Sequence, residues 1–301
     1  MRFRERYDAL TLLLIVLCYG AWGGLVFGAF SLPEWFSALL LIPVITFHSS
    51  LQHEIIHGHP FQTTWLNDLL AILPLGLFLP YPRYRDAHLA HHQKARIGDP
   101  LDDPESWYLT ADKWEQMPGW LKALFTANNI LVGRMLLGPL LGTATLFFRD
   151  VQAIKNGRLS LLTVWGLHFL SLALLLTAVA VWGSISVGSY LACAYLGMSI
   201  LMIRTFLEHQ AHKTMRGRSV IIEDKGVLSM LFLNNNLHAV HHAYPALAWY
   251  RLPGFFKRNR ERFLEMNTGY YFKNYGDIIR KYAFSAKEPV IYPLDRDTGG
   301  V

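Results

Sequence analysis

The sequence has little cysteine and little charge. Two cysteines in 301 residues, Cys18 and Cys193, exclude a disulfide framework and a thiolate site for zinc or an iron–sulfur cluster. Both sit inside apolar runs and are expected to be buried small hydrophobes. Charged residues make up 17%, where a soluble domain carries about 25%. Hydrophobic residues make up 52%, with a mean hydropathy of +0.22. There is no Gly-rich strand–turn–helix fingerprint for a dinucleotide, and no internal repeat or low-complexity tract. Basic residues are missing altogether from 7–82 and 159–203, although the chain holds 28 Lys and Arg and a formal charge of +6. A nucleic-acid binder would place that charge as a patch on a polar fold. Apolar spans alternating with positive loops instead describe a multi-pass membrane protein with cytoplasmic basic segments and no nucleic-acid partner.

Residues 9–30 carry no charge and are long enough to cross a ~30 Å hydrocarbon core. They run on without a clear cleavage site, so a retained first span is expected. A second span, 35–57, does not end cleanly but runs into His48, His53, Glu54 and His57, with Gly58 and Pro60 as stop signals. Trp65 to Pro80 is apolar but short, and reads as interfacial or re-entrant. Asp103-Pro104 reads as a helix start, and Asp112 with Glu115 as a capping box. Leu124 to Phe148 is apolar but broken by Asn128, Asn129, Arg134 and Pro139, and reads as a helix lying at the interface. Spans three and four are 159–182, which contains His168, and 187–207.

The expected fold class is therefore an all-α integral membrane protein. It has four transmembrane helices in two hairpins, interfacial helices and a cytoplasmic helical cap. Residues 1–301 read as one domain, with cytoplasmic segments 58–158 and 208–301. Two hairpins put both termini on one side, and the Lys/Arg blocks make that side the cytoplasm. Residues 297–301 read as a frayed end.

The pattern H-x-x-H-H occurs twice, as His88-Leu89-Ala90-His91-His92 and His238-Ala239-Val240-His241-His242. Histidine is 13 of 301 residues, so two further His at i+3 and i+4 arise by chance roughly once in five hundred. On a helix these positions share one face, and neutral imidazole is the commonest side-chain metal ligand. His53/His57 and His209/His212 add two more pairs at the cytoplasmic ends of spans two and four. Nine or ten imidazoles suit two metals of four or five nitrogens each, of the iron, copper or zinc kind. His53-Glu54-x-x-His57 alone would match a zinc protease helix. That reading leaves the other clustered histidines without a role, and a catalytic zinc takes only three protein ligands.

With these residues in view, the sequence resembles the membrane fatty acid desaturase/hydroxylase family. His53-Glu-Ile-Ile-His57, His88-Leu-Ala-His91-His92 and His238-Ala-Val-His241-His242 match its three histidine boxes. Asp99-Pro100, Arg204-Thr-Phe-Leu-Glu208-His209, Asn235-Asn236-Leu-His238 and Trp249-Tyr-Arg-Leu-Pro253 match the context. The resemblance implies a non-haem di-iron centre (two Fe), O2 as co-substrate and C–H oxidation of a membrane lipid or acyl substrate held in a buried tunnel. The outcome is desaturation, or alternatively hydroxylation, ketone formation or decarboxylation. It implies as ligands His53, His57, His88, His91, His92, His238, His241 and His242, with His209 or His212 as the ninth. His48 with His53 is an alternative first box. Glu208, Asn235 and Asn236 are expected to support the ligands. The chain has no redox cofactor motif, so electrons must come from an external ferredoxin, rubredoxin or cytochrome. His168 is expected to be a core histidine, His59 a loop residue, and Asp102, Asp103 and Glu105 caps and solvated charges.

Overall fold

The computed structural model describes residues 8–93 and 96–294; the basic N-terminal block and residues 297–301 lie outside them. The architecture is helical: α1 (Ala9–Val26), α2 (Glu34–Ile56), α3 (Thr64–Ala71), α4 (Tyr81–His92), α5 (Ala111–Gln116), α6 (Gly119–Asn128), α7 (Leu131–Lys155), α8 (Ser160–Trp182), α9 (Val187–Thr205), α10 (Val227–Leu231), α11 (His238–Ala243), α12 (Leu252–Arg258), α13 (Arg260–Met266) and α14 (Tyr275–Tyr282). Strands β1 (Ile221–Ile222) and β2 (Tyr271–Phe272) pair in parallel, Ile221 with Tyr271 and Ile222 with Phe272.

Five of these helices, α1, α2, α7, α8 and α9, are long and apolar enough to cross a membrane. Their exposed residues are largely apolar: Leu13, Val16 and Leu17 on α1, and Leu162, Leu167, Leu170 and Leu174 on α8. A surface of this kind is stable against acyl chains, not against water. The chain is a multi-pass membrane protein.

Two compact units divide the chain. One takes Glu5–Arg85 and Pro139–Leu201. Its core joins α1, α2, α8 and α9 through Leu25, Leu41, Ile45, Leu175, Val179 and Tyr190. Lipid gives apolar helices little reason to associate, so close backbone approach and buried polar bonds matter more. At Gly197 a Cβ would lie 3.0 Å from Ile45 and 3.1 Å from the Ile42 carbonyl, so α9 closes on α2. There Thr46 Oγ1 donates to the Gly197 carbonyl at 2.9 Å. Tyr190 donates to the Leu75 carbonyl at 3.0 Å and accepts from Trp22 Nε1 at 3.1 Å.

The other unit takes Asp86–Gly138 and the chain from Met202. Its apolar core gathers Ile221, Leu237, Val240, Leu247, Leu252, Phe256 and Phe263 around α11. Six residues are too few for an isolated helix to hold its shape. Neighbouring backbone fixes α11 instead: Ala239 N donates to the Val220 carbonyl at 2.9 Å, and Ile222 N to the Asn236 carbonyl at 2.8 Å.

Three local expectations need correction. Asp103-Pro104 starts no helix; the stretch is a series of turns in which the Asp103 carboxylate accepts from Gly98 N and Glu105 N. The cap of α5 is Thr110, whose hydroxyl accepts from Lys113 N, so Asp112 falls in the first turn and not at the cap. The Leu124–Phe148 segment is two helices, α6 and α7, broken at Asn129 and Ile130. Cys18 and Cys193 are free and buried.

Asp150, near the end of α7, accepts from Arg83 Nε at 2.6 Å, Arg83 Nη2 at 2.8 Å and Trp165 Nε1 at 2.9 Å. It is 2% exposed. Removing one partner of a buried pair strands the other charge, at about 3–5 kcal/mol. Asp150→Ala is expected to lower the melting temperature in detergent clearly, and Asp150→Asn less, because the amide keeps an acceptor for Trp165. Unchanged melting in both variants would contradict this role.

Candidate metal centre

The i, i+3, i+4 spacing on α11 aims His238, His241 and His242 to one side, and α4 does the same for His88, His91 and His92. The result is a close group of imidazoles. His91, His209, His238 and His242 each offer a ring nitrogen, all within 4.8 Å of one another. Their Nε2 atoms are 2.9 Å apart for His91 and His209, 3.0 Å for His209 and His238, 3.1 Å for His238 and His242, and 3.3 Å for His242 and His91. In the same unit His92 Nε2 lies 3.1 Å from His88 Nε2 and 3.1 Å from His241 Nε2. In the other unit the His53 and His57 rings meet edge to face, with centroids 5.0 Å apart.

The opposite ring nitrogens explain why Nε2 faces the group. His91 Nδ1 donates to Asp103 Oδ1 at 2.8 Å, and both side chains are buried. His88 Nδ1 donates to Glu105 at 3.0 Å. His238 Nδ1 donates to Asn235 Oδ1 at 3.2 Å, and Asn235 in turn donates to Glu208, which Arg204 holds at 2.9 Å. A proton kept on Nδ1 leaves the Nε2 lone pair free to bind a metal. Burial, reinforced by the neighbouring imidazoles, pushes His209, His238 and His242 well below the usual histidine range, so they are neutral. Burial, with His88 and His91 adding to it, takes His92 down to about 3. His91 goes the other way: burial opposes its charge, but Glu105 and Asp103 outweigh burial and raise it to about 9. Burial would raise the Glu105 carboxyl, yet His88 and His91 hold it at about 2. Converging ring nitrogens about 3 Å apart, most of them neutral and with Nδ1 of His91, His88 and His238 anchored from behind, are a donor set that fits a transition-metal cation.

Two sequence expectations about neighbours are corrected here. Asp103 and Glu105 are not solvated charges; they orient His91 and His88. The Asp-Pro-Glu string reads as a cap because capping and histidine orientation use the same residue types, and the available signal was a carboxylate 12 to 17 residues beyond a histidine box. Asn236 does not support a ligand: its amide donates to the Ile222 carbonyl at 2.6 Å and so fixes β1. His59 lies in the loop after α2, as expected, and is buried there, with Nδ1 2.9 Å from Asp8 and Nε2 3.7 Å from Glu54. His212 is not brought to the group; its Nδ1 lies 3.0 Å from the Thr214 hydroxyl. His48 Nε2 lies 3.1 Å from the Tyr19 hydroxyl, and His168 Nε2 lies 3.1 Å from the Leu77 carbonyl.

A helical membrane protein with a buried polyhistidine group defines a class of metal-dependent membrane enzymes. The family model described as fatty acid desaturase matches residues 29–274. The chain belongs to the fatty acid desaturase family, and is an oxidoreductase of that type. No curated protein matches it.

Loss of a carboxylate that orients a metal-bound histidine costs about 10–100-fold in metal affinity. Asp103→Ala is expected to show that loss in an iron titration, while His212→Ala leaves affinity unchanged. Equal affinity for Asp103→Ala and the parent protein would remove Asp103 from the site.

Proposed function

We propose that the protein desaturates an acyl chain at two irons held by nine histidines. One set is His91, His209, His238 and His242, and its convergence is the observation that carries the reading. The second set is His88, His92 and His241, completed by His53 and His57 from the end of α2. The split of four and five follows from His92, whose Nε2 neighbours are His88 and His241. His209, not His212, is the ninth ligand.

Bound iron supplies the reducing centre that activates O2 for C–H oxidation. Desaturation consumes the acyl chain, O2, two electrons and two protons, and yields an alkene and two waters. The chain's own residues aim the imidazoles, through Asp103, Glu105 and the Asn235–Glu208–Arg204 series, and burial keeps His209, His238 and His242 neutral. The electrons come from a separate redox protein, whose acidic surface would suit the basic cytoplasmic segments. In this reading α1, α2, α8 and α9 cross the membrane as two hairpins, and α7 lies along the interface, which suits its exposed Arg149. Residues 1–301 then act as one domain, with both termini and the histidines cytoplasmic.

Mass spectrometry of lipids from a host with and without the gene tests the reaction. Loss of two hydrogens from one acyl class is the expected result; gain of one oxygen would replace desaturation by hydroxylation. His91→Ala and His241→Ala should each abolish the change. Full conversion by either variant would refute the ligand assignment.

A further inference from the structure

Arg134, in the first turn of α7, is a buried cation that the metal centre does not use. It is 4% exposed. Its guanidinium carbon lies 3.8 Å from the centroid of the Trp107 ring and 5.5 Å from that of Phe206. Nε donates to the Asn128 carbonyl at 3.0 Å. Among the described residues neither Nη nitrogen donates a hydrogen bond, and no carboxylate pairs with the group. Asn128 also has a buried side-chain oxygen with no partner among the described residues.

A neighbouring cation shows the contrast. Lys287 lies 3.5 Å from Glu288 and donates from Nζ to the His209 carbonyl. Glu288 also accepts from Tyr108 and Ala211 N. That carboxylate is therefore fully engaged with Lys287 and its surroundings, while Arg134 keeps its charge uncompensated. Stacking on an indole face stabilises a guanidinium but does not replace an anion. A guanidinium with Nε engaged still presents two Nη nitrogens as a planar fork, which matches the two oxygens of a carboxylate or phosphate.

We propose that Arg134, backed by Trp107, binds the oxyanion head group of the acyl substrate, a carboxylate or a phosphate. The inference rests on the acyl-oxidation reading above. Trp107 and Phe206 supply apolar flanks for the first methylenes of the chain. The anchor belongs to the same framework as the metal centre: Phe206 is three residues before His209, and Lys287 N donates to the Asn129 carbonyl while its Nζ donates to His209. A head group fixed there sets how far along the chain the oxidised carbon lies.

The test is equilibrium binding at pH 8 to the iron-loaded protein in detergent. The probes are hexadecanoic acid, hexadecyl phosphate and hexadecanol. The parent protein is expected to bind one of the two anions about 10–100-fold more tightly than the alcohol. The acid binding more tightly identifies a carboxylate head, and the phosphate binding more tightly a phosphate head. Arg134→Gln should abolish the difference and leave alcohol binding unchanged, and Arg134→Lys should restore part of it. Equal binding of acid, phosphate and alcohol by the parent protein overturns the proposal, and that arm decides even where Arg134→Gln fails to fold. Discrimination that survives in Arg134→Gln overturns it as well. Iron content measured on the same preparations separates the two readings: two irons without head-group discrimination removes only the anchor, whereas discrimination without iron removes the oxidase.

Discussion

Four imidazole nitrogens pointing at one another about 3 Å apart are the constraint on which the rest of this structure depends. Lone pairs at that spacing repel unless a cation takes them up. They persist only if the rings are held from behind. Hydrogen bonds on Nδ1 do this for two of the four, Asp103 for His91 and Asn235 with Glu208 and Arg204 for His238, and Glu105 does the same for the adjacent His88. Each fixes a tautomer as well as a direction. Burial then keeps most of the rings neutral, which is the state a metal needs.

Rigidity reaches the histidines from two kinds of packing. In the unit built on α1, α2, α8 and α9, tight approach at Gly197 and buried polar links at Thr46 and Tyr190 order helices that lipid alone would not. That order extends along α2 to His53 and His57 at its end. In the other unit an apolar core wraps α11, and Ile222 of β1 and the preceding Val220 clamp the two ends of the segment 236–239. A six-residue helix can thus hold three imidazoles in register.

Much of this was legible in the sequence. The i, i+3, i+4 spacing of His88, His91 and His92 and of His238, His241 and His242 requires a shared face wherever those residues are helical, and the structure makes both helical. The limits of α8 and α9 follow from uncharged stretches. What was not legible depends on side-chain direction in turns. Asp103 and Glu105 read as capping residues because local backbone competition hides a long-range partner. His209 and His212 are three residues apart, but α9 ends at Thr205, so no helical face joins them. Asn235 and Asn236 are adjacent, and only the chain path decides that one faces His238 and the other β1. Arg134 looked like an interruption of an apolar helix; its stacking on Trp107 comes from a residue 27 positions earlier.

Iron-edge X-ray absorption of the metal-loaded protein tests the central claim most directly. The account predicts about two irons per chain, a first shell of four to five nitrogen or oxygen atoms at about 2.1 Å, strong imidazole scattering and no sulfur. A single bound zinc with no iron, or an iron shell without imidazole scattering, would contradict it.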